Sequence, residues 1–313
     1  MNLRNISFAI LAFLLSGLTL HAQEEEETVD NTVFGTFKSS RIINAHSTEM
    51  LRAKHMDVRI THRFGDVMKD WDPQNSWDNL FGIEDAADIL VGFEFGITDN
   101  LMLGISRTKG GGDMRQLMNG FVKYRPLAQT DDGKVPLSLA LVGSATWITM
   151  RKTPFDIYNP TLSSFDIDTI AGGHFARRWR YSTELHIARK FSDRFSLQLS
   201  PVFVWRNLVR QNESNALLSL NVGTRIQVSK GMGILLDTAI PIIGNGWGET
   251  PSKLYFPLGI AFEFETAGHI FQVNFTNSRG IVSTDYIGDA QSGWGAGEFR
   301  LGFTISRIVQ LKH

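Results

Sequence analysis

The chain has 313 residues and no Cys, so its candidate chemistry rests on His, Ser and charged side chains. Thiol nucleophiles, zinc–thiolate sites, iron–sulfur clusters and disulfide scaffolds are all excluded. His62 sits where a hydrolase working on the lipid face of a sheet would carry its base. Such a base needs a Ser and an acid beside it, but the neighbouring run offers Ile89, Val91, Phe93, Phe95 and Ile97. Asp85, Asp88, Asp166, Asp168 and His174 are scattered loop residues, a setting in which acids are ordinarily just solvated. His46, Glu49 and His55 come nearest to a metal set, yet their spacing matches no zinc or calcium loop. Gly110-Gly111-Gly112 and the Gly293–Gly297 run do not lie between a strand and a helix, so they read as flexible loops rather than phosphate cradles. The sequence therefore predicts no enzyme, no metal and no cofactor.

The remaining charges recur at every second position. Asp57, Arg59, Arg63, Glu94, Lys123, Arg125, Arg180, Glu184, Arg225, Asp237, Glu263, Glu265 and Arg300 share the polar parity of segments whose other parity is apolar. The clearest case sets Leu218, Leu220, Val222, Ile226 and Val228 against Ser219, Asn221, Gly223, Arg225 and Gln227. A period of two marks β-strands with one apolar and one polar face. About twelve such strands are expected, near 56–64, 88–97, 101–109, 115–127, 135–148, 178–191, 194–208, 216–229, 232–243, 254–266, 269–279 and 297–308. Many reach ten residues, the length a tilted strand needs to cross a bilayer, roughly 9–11.

Connections divide the same way. Thr98–Asn100, Thr130–Gly133, Ser192-Asp193, Ser229–Gly231 and Thr266–Gly268 are short, whereas Gly65–Ala87, Arg151–Arg177, Gly244–Lys253 and Gly280–Ala296 are long. Short turns on one rim and long loops on the other describe an antiparallel up-and-down transmembrane β-barrel. All seven Trp fall on the long-loop side, as an interfacial aromatic girdle requires. On the apolar parity Arg107, Arg189 and Arg307 stand near strand ends, where their heads can snorkel to water. The polar parity then lines a lumen with seven cations and six anions. Such near-balance favours ion pairs across the interior over a pore selective for one sign. Lumen-side Gly92, Gly96, Gly104, Gly223, Gly259 and Gly302 either allow strand coiling or leave room for an inserted segment.

Three regions follow. Residues 1–22 read as a signal peptide, with Arg4 ahead of an apolar run ending near Ala22. Residues 23–53 form an acidic leader and candidate periplasmic plug, in which Arg41, Asn44, His46 and Glu49 are the polar residues to watch. Residues 54–313 make the barrel. A formal net charge of −1 argues against a nucleic-acid partner. The expected setting is the lipid of a bacterial outer membrane.

The stretches TFKSSRIINAHSTE (36–49), ITHRFGD (60–66), NLFGIEDAADILVGFEFGITDNLMLGISR (79–107) and NGFVKYRPLAQ (119–129) resemble an exported domain-of-unknown-function family of outer-membrane β-barrels from Bacteroidota. The resemblance is most specific in the first third of the chain. It implies fold and location but supplies no substrate, catalytic residue or cofactor. The C-terminus, ending Gln310-Leu311-Lys312-His313, departs from the usual terminal aromatic. The expected function is a narrow or plugged channel for a small solute. The alternative is a non-conducting structural or docking barrel that binds a partner through its outer loops or leader.

Overall fold

The structure, a computed structural model, describes residues 31–311 except 34, 69–70, 86–87, 111–115, 150–174, 208, 210–213, 244–254, 267, 289 and 291. The expected signal peptide (residues 1–22), the acidic run 24–27, Asp166, Asp168, His174 and Trp247 lie outside the described residues.

Twelve antiparallel strands close into a barrel in which each strand pairs with its neighbours in sequence and β12 returns to β1. They are β1 His55–Asp66, β2 Asp88–Thr98, β3 Leu101–Lys109, β4 Gln116–Leu127, β5 Ser138–Ile148, β6 Trp179–Ser192, β7 Phe195–Arg206, β8 Ala216–Ser229, β9 Met232–Ile243, β10 Leu258–Thr266, β11 His269–Thr276 and β12 Arg300–Gln310. Twenty of the 24 strand boundaries fall within two residues of the alternation, because pairing and side-chain parity share the same period. The others are the starts of β5, β10 and β12 and the end of β11, two of which have clear local causes. β10 starts at Leu258, just after Pro257, which has no N–H for a ladder. β12 starts late because Gly297 turns through φ 72°, a conformation that ends extended pairing.

Alternation becomes burial. In β2 the pattern runs buried and exposed by turns, with Val91, Phe93 and Ile97 outward and Leu90 and Glu94 inward. Outward Leu103, Ile105, Val122, Leu141, Phe203, Ile240 and Phe262 continue an apolar belt around the wall. An apolar belt of this extent among the described residues is the surface that lipid covers. Trp147 and Trp179 face each other across β5 and β6, stacked at 6.4 Å and 22°. With Tyr181 and Phe175 they build one arc of an aromatic girdle at the long-loop end. Arg189 lies over the Phe191 ring at 5.3 Å, its head near the short-turn rim.

The lumen is filled by chain. From the short-turn end, residues 36–48 run inside the barrel and turn back through a tight Arg41↔His46 bridge. Phe37, Ile42, Ile43 and Ala45 bury against Ala188, Leu235 and Ala261 of the wall. Gly96 and Gly223 show why small residues line this path. A Cβ on Gly96 would occupy the place of the Arg52 carbonyl, and one on Gly223 the place of the Ile42 side chain.

From the long-loop end, the β11–β12 connection enters the barrel as well. The sequence reading places 277–279 at the end of a strand and Gly280–Ala296 among loops outside the barrel; the structure instead takes residues 277–288 into the lumen. Ile281 and Val282 pack with Leu90, Leu117 and Ile148, while Tyr286 and Ile287 pack with Val202, Val204, Leu217 and Ala239. The apolar residues inside these strands need a cover, and this loop carries the apolar side chains that supply it. Trp294 stays near the rim, stacked on Phe299 at 4.7 Å and 11°.

Candidate functional site

The short-turn half of the lumen is a polar lock around residues 36–49. Asp237 of β9 accepts three successive amides through one oxygen, from Ile43 at 3.2 Å, Asn44 at 2.7 Å and Ala45 at 2.8 Å. The bend of the segment is what aims those amides at one carboxylate. Glu94 of β2 takes the Arg41 guanidinium at 3.1 Å and also bonds the Ser40 hydroxyl. Arg59 stands 3.7 Å from Glu94, pairs with Asp57 at 2.9 Å and donates to Ser39 and Ser40. Lys123 of β4 donates to the Ser40 and Glu49 carbonyls, and Gln198 of β7 to that of His46. Arg225 and Glu263 close a further wall pair at 2.8 Å.

Burial and the cations Arg41 and Lys123 hold the His46 imidazole well below its usual 6.5, so the docked ring is neutral. Burial pushes the Glu49 carboxyl up from 4.5, opposed by the Phe37 amide that donates to it at 3.0 Å. At the mouth a cavity of about 310 Å³ remains beside the segment, with the Lys38–Glu265 pair, 2.9 Å, in its lining.

The long-loop half is held differently. Arg63 of β1 donates to the carbonyls of Ser278 at 3.0 Å, Arg279 at 3.2 Å and Gly280. Its other nitrogen bonds the Asn44 side chain, so this one guanidinium touches both inserted segments. Arg300 of β12 donates to the Asn277 carbonyl at 2.8 Å and meets Asp66 at 2.5 Å. Across the lumen Arg180 of β6 donates to Thr284 at 3.1 Å and Arg206 of β7 to Gly288 at 2.9 Å. All four arginines are at most 1% exposed.

Two sequence-derived lumen candidates sit elsewhere. Glu265 is exposed at the end of β10, and Arg125 is half-buried at the rim, bonded to the Asp99 carbonyl. Parity sets the direction a side chain points, but beyond the last paired residues no opposite wall remains to cover it. The other eleven wall candidates are buried. Of the leader candidates, Arg41, Asn44 and His46 are buried inside the barrel and Glu49 is half-buried at its mouth.

Arg206 and His186 escaped the sequence reading although both continue a visible parity, Arg206 after Ser196-x-Gln198-x-Ser200 and His186 after Glu184. His186 accepts or donates at Nδ1 with Ser200 at 2.7 Å and meets Glu184 through Nε2 at 3.3 Å. The three residues have the order of a hydrolytic relay. Gln198 also donates to the Ser200 hydroxyl at 3.0 Å, and all three relay residues are at most 1% exposed, which leaves no place for an acyl group. They form a wall network. His62 stacks on Phe303 at 5.5 Å, an aromatic neighbour rather than a hydroxyl. Among the described residues no group of three acids or imidazoles could hold a metal ion.

No curated protein matches the sequence. Among solved structures the chain is similar to an outer membrane channel from Pseudomonas putida F1, at 10% identity and a TM-score of 0.48 over 84% of this chain and 98% of that one. It is similar to the NanC porin at 8% identity and 0.44, over 82% and 100% of the two chains. For the KdgM porin the values are 8% and 0.46, over 81% and 98%. A family model described as a membrane bound beta barrel domain matches residues 37–309, from the first inserted residues to the end of the closing strand. The chain, a closed barrel with an apolar exterior and a chain-filled lumen, belongs to that family, DUF5777.

Proposed function

We propose that the protein is an outer-membrane channel for a small solute, shut in this conformation by two of its own segments. Residues 1–22 are removed on export, residues 23–53 supply the plug from the periplasmic side, and residues 54–313 form the barrel. The short turns then face the periplasm. The observation that carries the reading is the bend at Ile43–Ala45, whose three amides converge on Asp237 inside the lumen. Permanent filling of a small barrel needs only side chains of its own wall. A separate segment held by polar bonds at its bend can leave and return.

Planar-bilayer recording tests this with three forms of the protein: the full chain, the chain lacking residues 31–50, and that deletion combined with a shortened 279–290 loop. Heat-modifiable gel migration reports whether each is folded. Silence from the full chain and discrete steps from the doubly trimmed barrel are expected. A folded, doubly trimmed barrel that stays silent would overturn the channel. It would favour the second reading, a docking barrel, for which the exposure of Trp71 (53%) and Trp77 (66%) on the long-loop side speaks.

A further inference from the structure

The outward face of β3 changes character along its length. Toward the long-loop end it reads Leu103, Ile105, Arg107 and Lys109, so two exposed cations follow two apolar side chains on the parity that faces lipid. Arg107 donates to the Thr149 hydroxyl at 3.3 Å and to the Gln116 side-chain oxygen at 3.3 Å, long bonds to neutral acceptors. Neither cation has a carboxylate partner among the described residues, and the outward positions of β2, β4 and β5 carry no acid. The outward cations of the other rim, Arg189 and Arg307, stand on separate strands, β6 and β12.

Register fixes the depth of the β3 cations. Arg107 pairs with Met118, Met118 with Trp147 and Trp147 with Trp179, so Arg107 stands in the row of the stacked tryptophans. Such a row marks the boundary between hydrocarbon and headgroups. Lys109 and Gln116 pair in the next row toward solvent. One row toward the membrane centre, Ile105 pairs with Gly120 and Gly120 with Ala145, and Gly143 is the next outward residue of β5. A Cβ on Gly143 would meet nothing within 4 Å, and one on Gly120 only the Gly104 carbonyl at 3.8 Å. The wall beneath the cations is therefore a shallow apolar depression.

A cation at the edge of hydrocarbon extends its head toward the anionic groups of the lipid. A guanidinium offers phosphate a planar fork of N–H groups, and an ammonium beside it adds a second charge. The Gln116 amide and the Thr149 hydroxyl bring neutral donors and acceptors, the kind that sugar hydroxyls match. The depression lets an acyl chain lie against the strands, where dispersion contacts accumulate along its length.

We propose that the long-loop end of β3–β5 is a binding surface for a phosphorylated glycolipid of the outer leaflet. Arg107 and Lys109 take a sugar phosphate, Gln116 and Thr149 bond the sugar, and an acyl chain lies over Gly120, Gly143 and Ala145. The surface faces away from the lumen, so it serves the barrel whether or not the barrel conducts.

Native mass spectrometry of the full-length protein in detergent tests it with three probes: phosphorylated lipid A, the same lipid stripped of its phosphates, and phosphatidylglycerol. Phosphorylated lipid A should bind saturably and about tenfold more tightly than either of the others, the value of one charge-assisted bond. Arg107→Gln should weaken its binding by roughly the same factor. Lys109→Gln should weaken it less, because an ammonium further into water is more strongly screened. Gly143→Val, which fills the depression, should also weaken it, whereas Arg189→Gln and Arg307→Gln on the opposite rim should leave it unchanged. Heat-modifiable migration reports that each variant is folded. Equal affinity for lipid A with and without phosphate, or equal losses from variants of both rims, would overturn the surface. Equally tight binding of phosphatidylglycerol would overturn its assignment to a glycolipid.

Discussion

In the short-turn half of the lumen a wall carboxylate grips the bend of the inserted chain, whereas in the long-loop half wall guanidiniums hold carbonyls of the β11–β12 connection. Asp237 and Glu94 take N–H and O–H groups and one cation from residues 40–45, and the surrounding cations have acids within reach, Arg59 with Asp57 and Arg225 with Glu263. In the other half Arg63, Arg180, Arg206 and Arg300 donate to carbonyls of the connection, Arg300 also pairs with Asp66, and Glu184 hydrogen-bonds Ser283. Buried charge is costly unless it is paired and fully hydrogen-bonded. The first half meets that requirement with ion pairs and makes a specific lock. The second holds its inserted loop largely through guanidinium-to-carbonyl bonds. Arg63, bonded to Asn44 and to Ser278, is the point where the halves touch.

The largest effect that would break this contrast is expected from Glu94→Ala. It strips the Arg41 and Arg59 guanidiniums of their shared carboxylate inside the lumen, at about 3–5 kcal/mol. Chemical denaturation should register that loss, and a change within error would mean that the pair is not buried as described. Asp237→Ala comes next. Losing the acceptor of three amides should cost about 2–4 kcal/mol of docking and make residues 36–48 protease-sensitive, while the barrel keeps its heat-modifiable migration.

Gly96→Val should cost about 1–3 kcal/mol, since the new side chain collides with the Arg52 carbonyl and the neighbouring chain must shift. Gly143→Val, where a Cβ meets nothing within 4 Å, is the matched control and should leave stability unchanged. The smallest effect concerns pH. A ring held below its free value of 6.5 favours the docked segment fully above that pH, and the advantage is lost as pH falls below it. The groups around it are Arg41, Lys123, His186 and Arg59. Release of the segment between pH 7.5 and 5.5 should therefore increase, and His46→Gln should remove that part of the dependence. Glu49 acts with the opposite sign, because its carboxyl is raised and protonation favours docking. The His46→Gln comparison isolates the imidazole.

The barrel was legible because each strand repeats one physical statement, apolar outward and polar inward, over about ten residues. Residues such as Ile89 through Ile97 state parity, length and bilayer fit together. The sorting of Trp147, Trp179 and Trp205 to one end was legible for the same reason, since it needs only the direction of each strand. The inward course of 277–288 was not. IVSTDYI has no period of its own, and its partners Leu90, Ile148, Val204 and Ala239 come from four different strands. Charge parity found most wall residues but could not tell the rim from the interior, as Glu265 and Arg125 show. The leader was recognisable as an aperiodic polar stretch, whereas its depth was fixed by Asp237, almost two hundred residues away in sequence.

Occupation of the lumen by the leader is tested most directly by thiol accessibility in the full-length protein. Ala45→Cys places a single small reporter at the buried bend, and Arg52→Cys places the same reporter at the exposed mouth. A membrane-impermeant maleimide should modify Arg52→Cys readily and leave Ala45→Cys unreacted until the protein is unfolded. Equal rates at both positions in the folded barrel would contradict a lumen closed by its own leader.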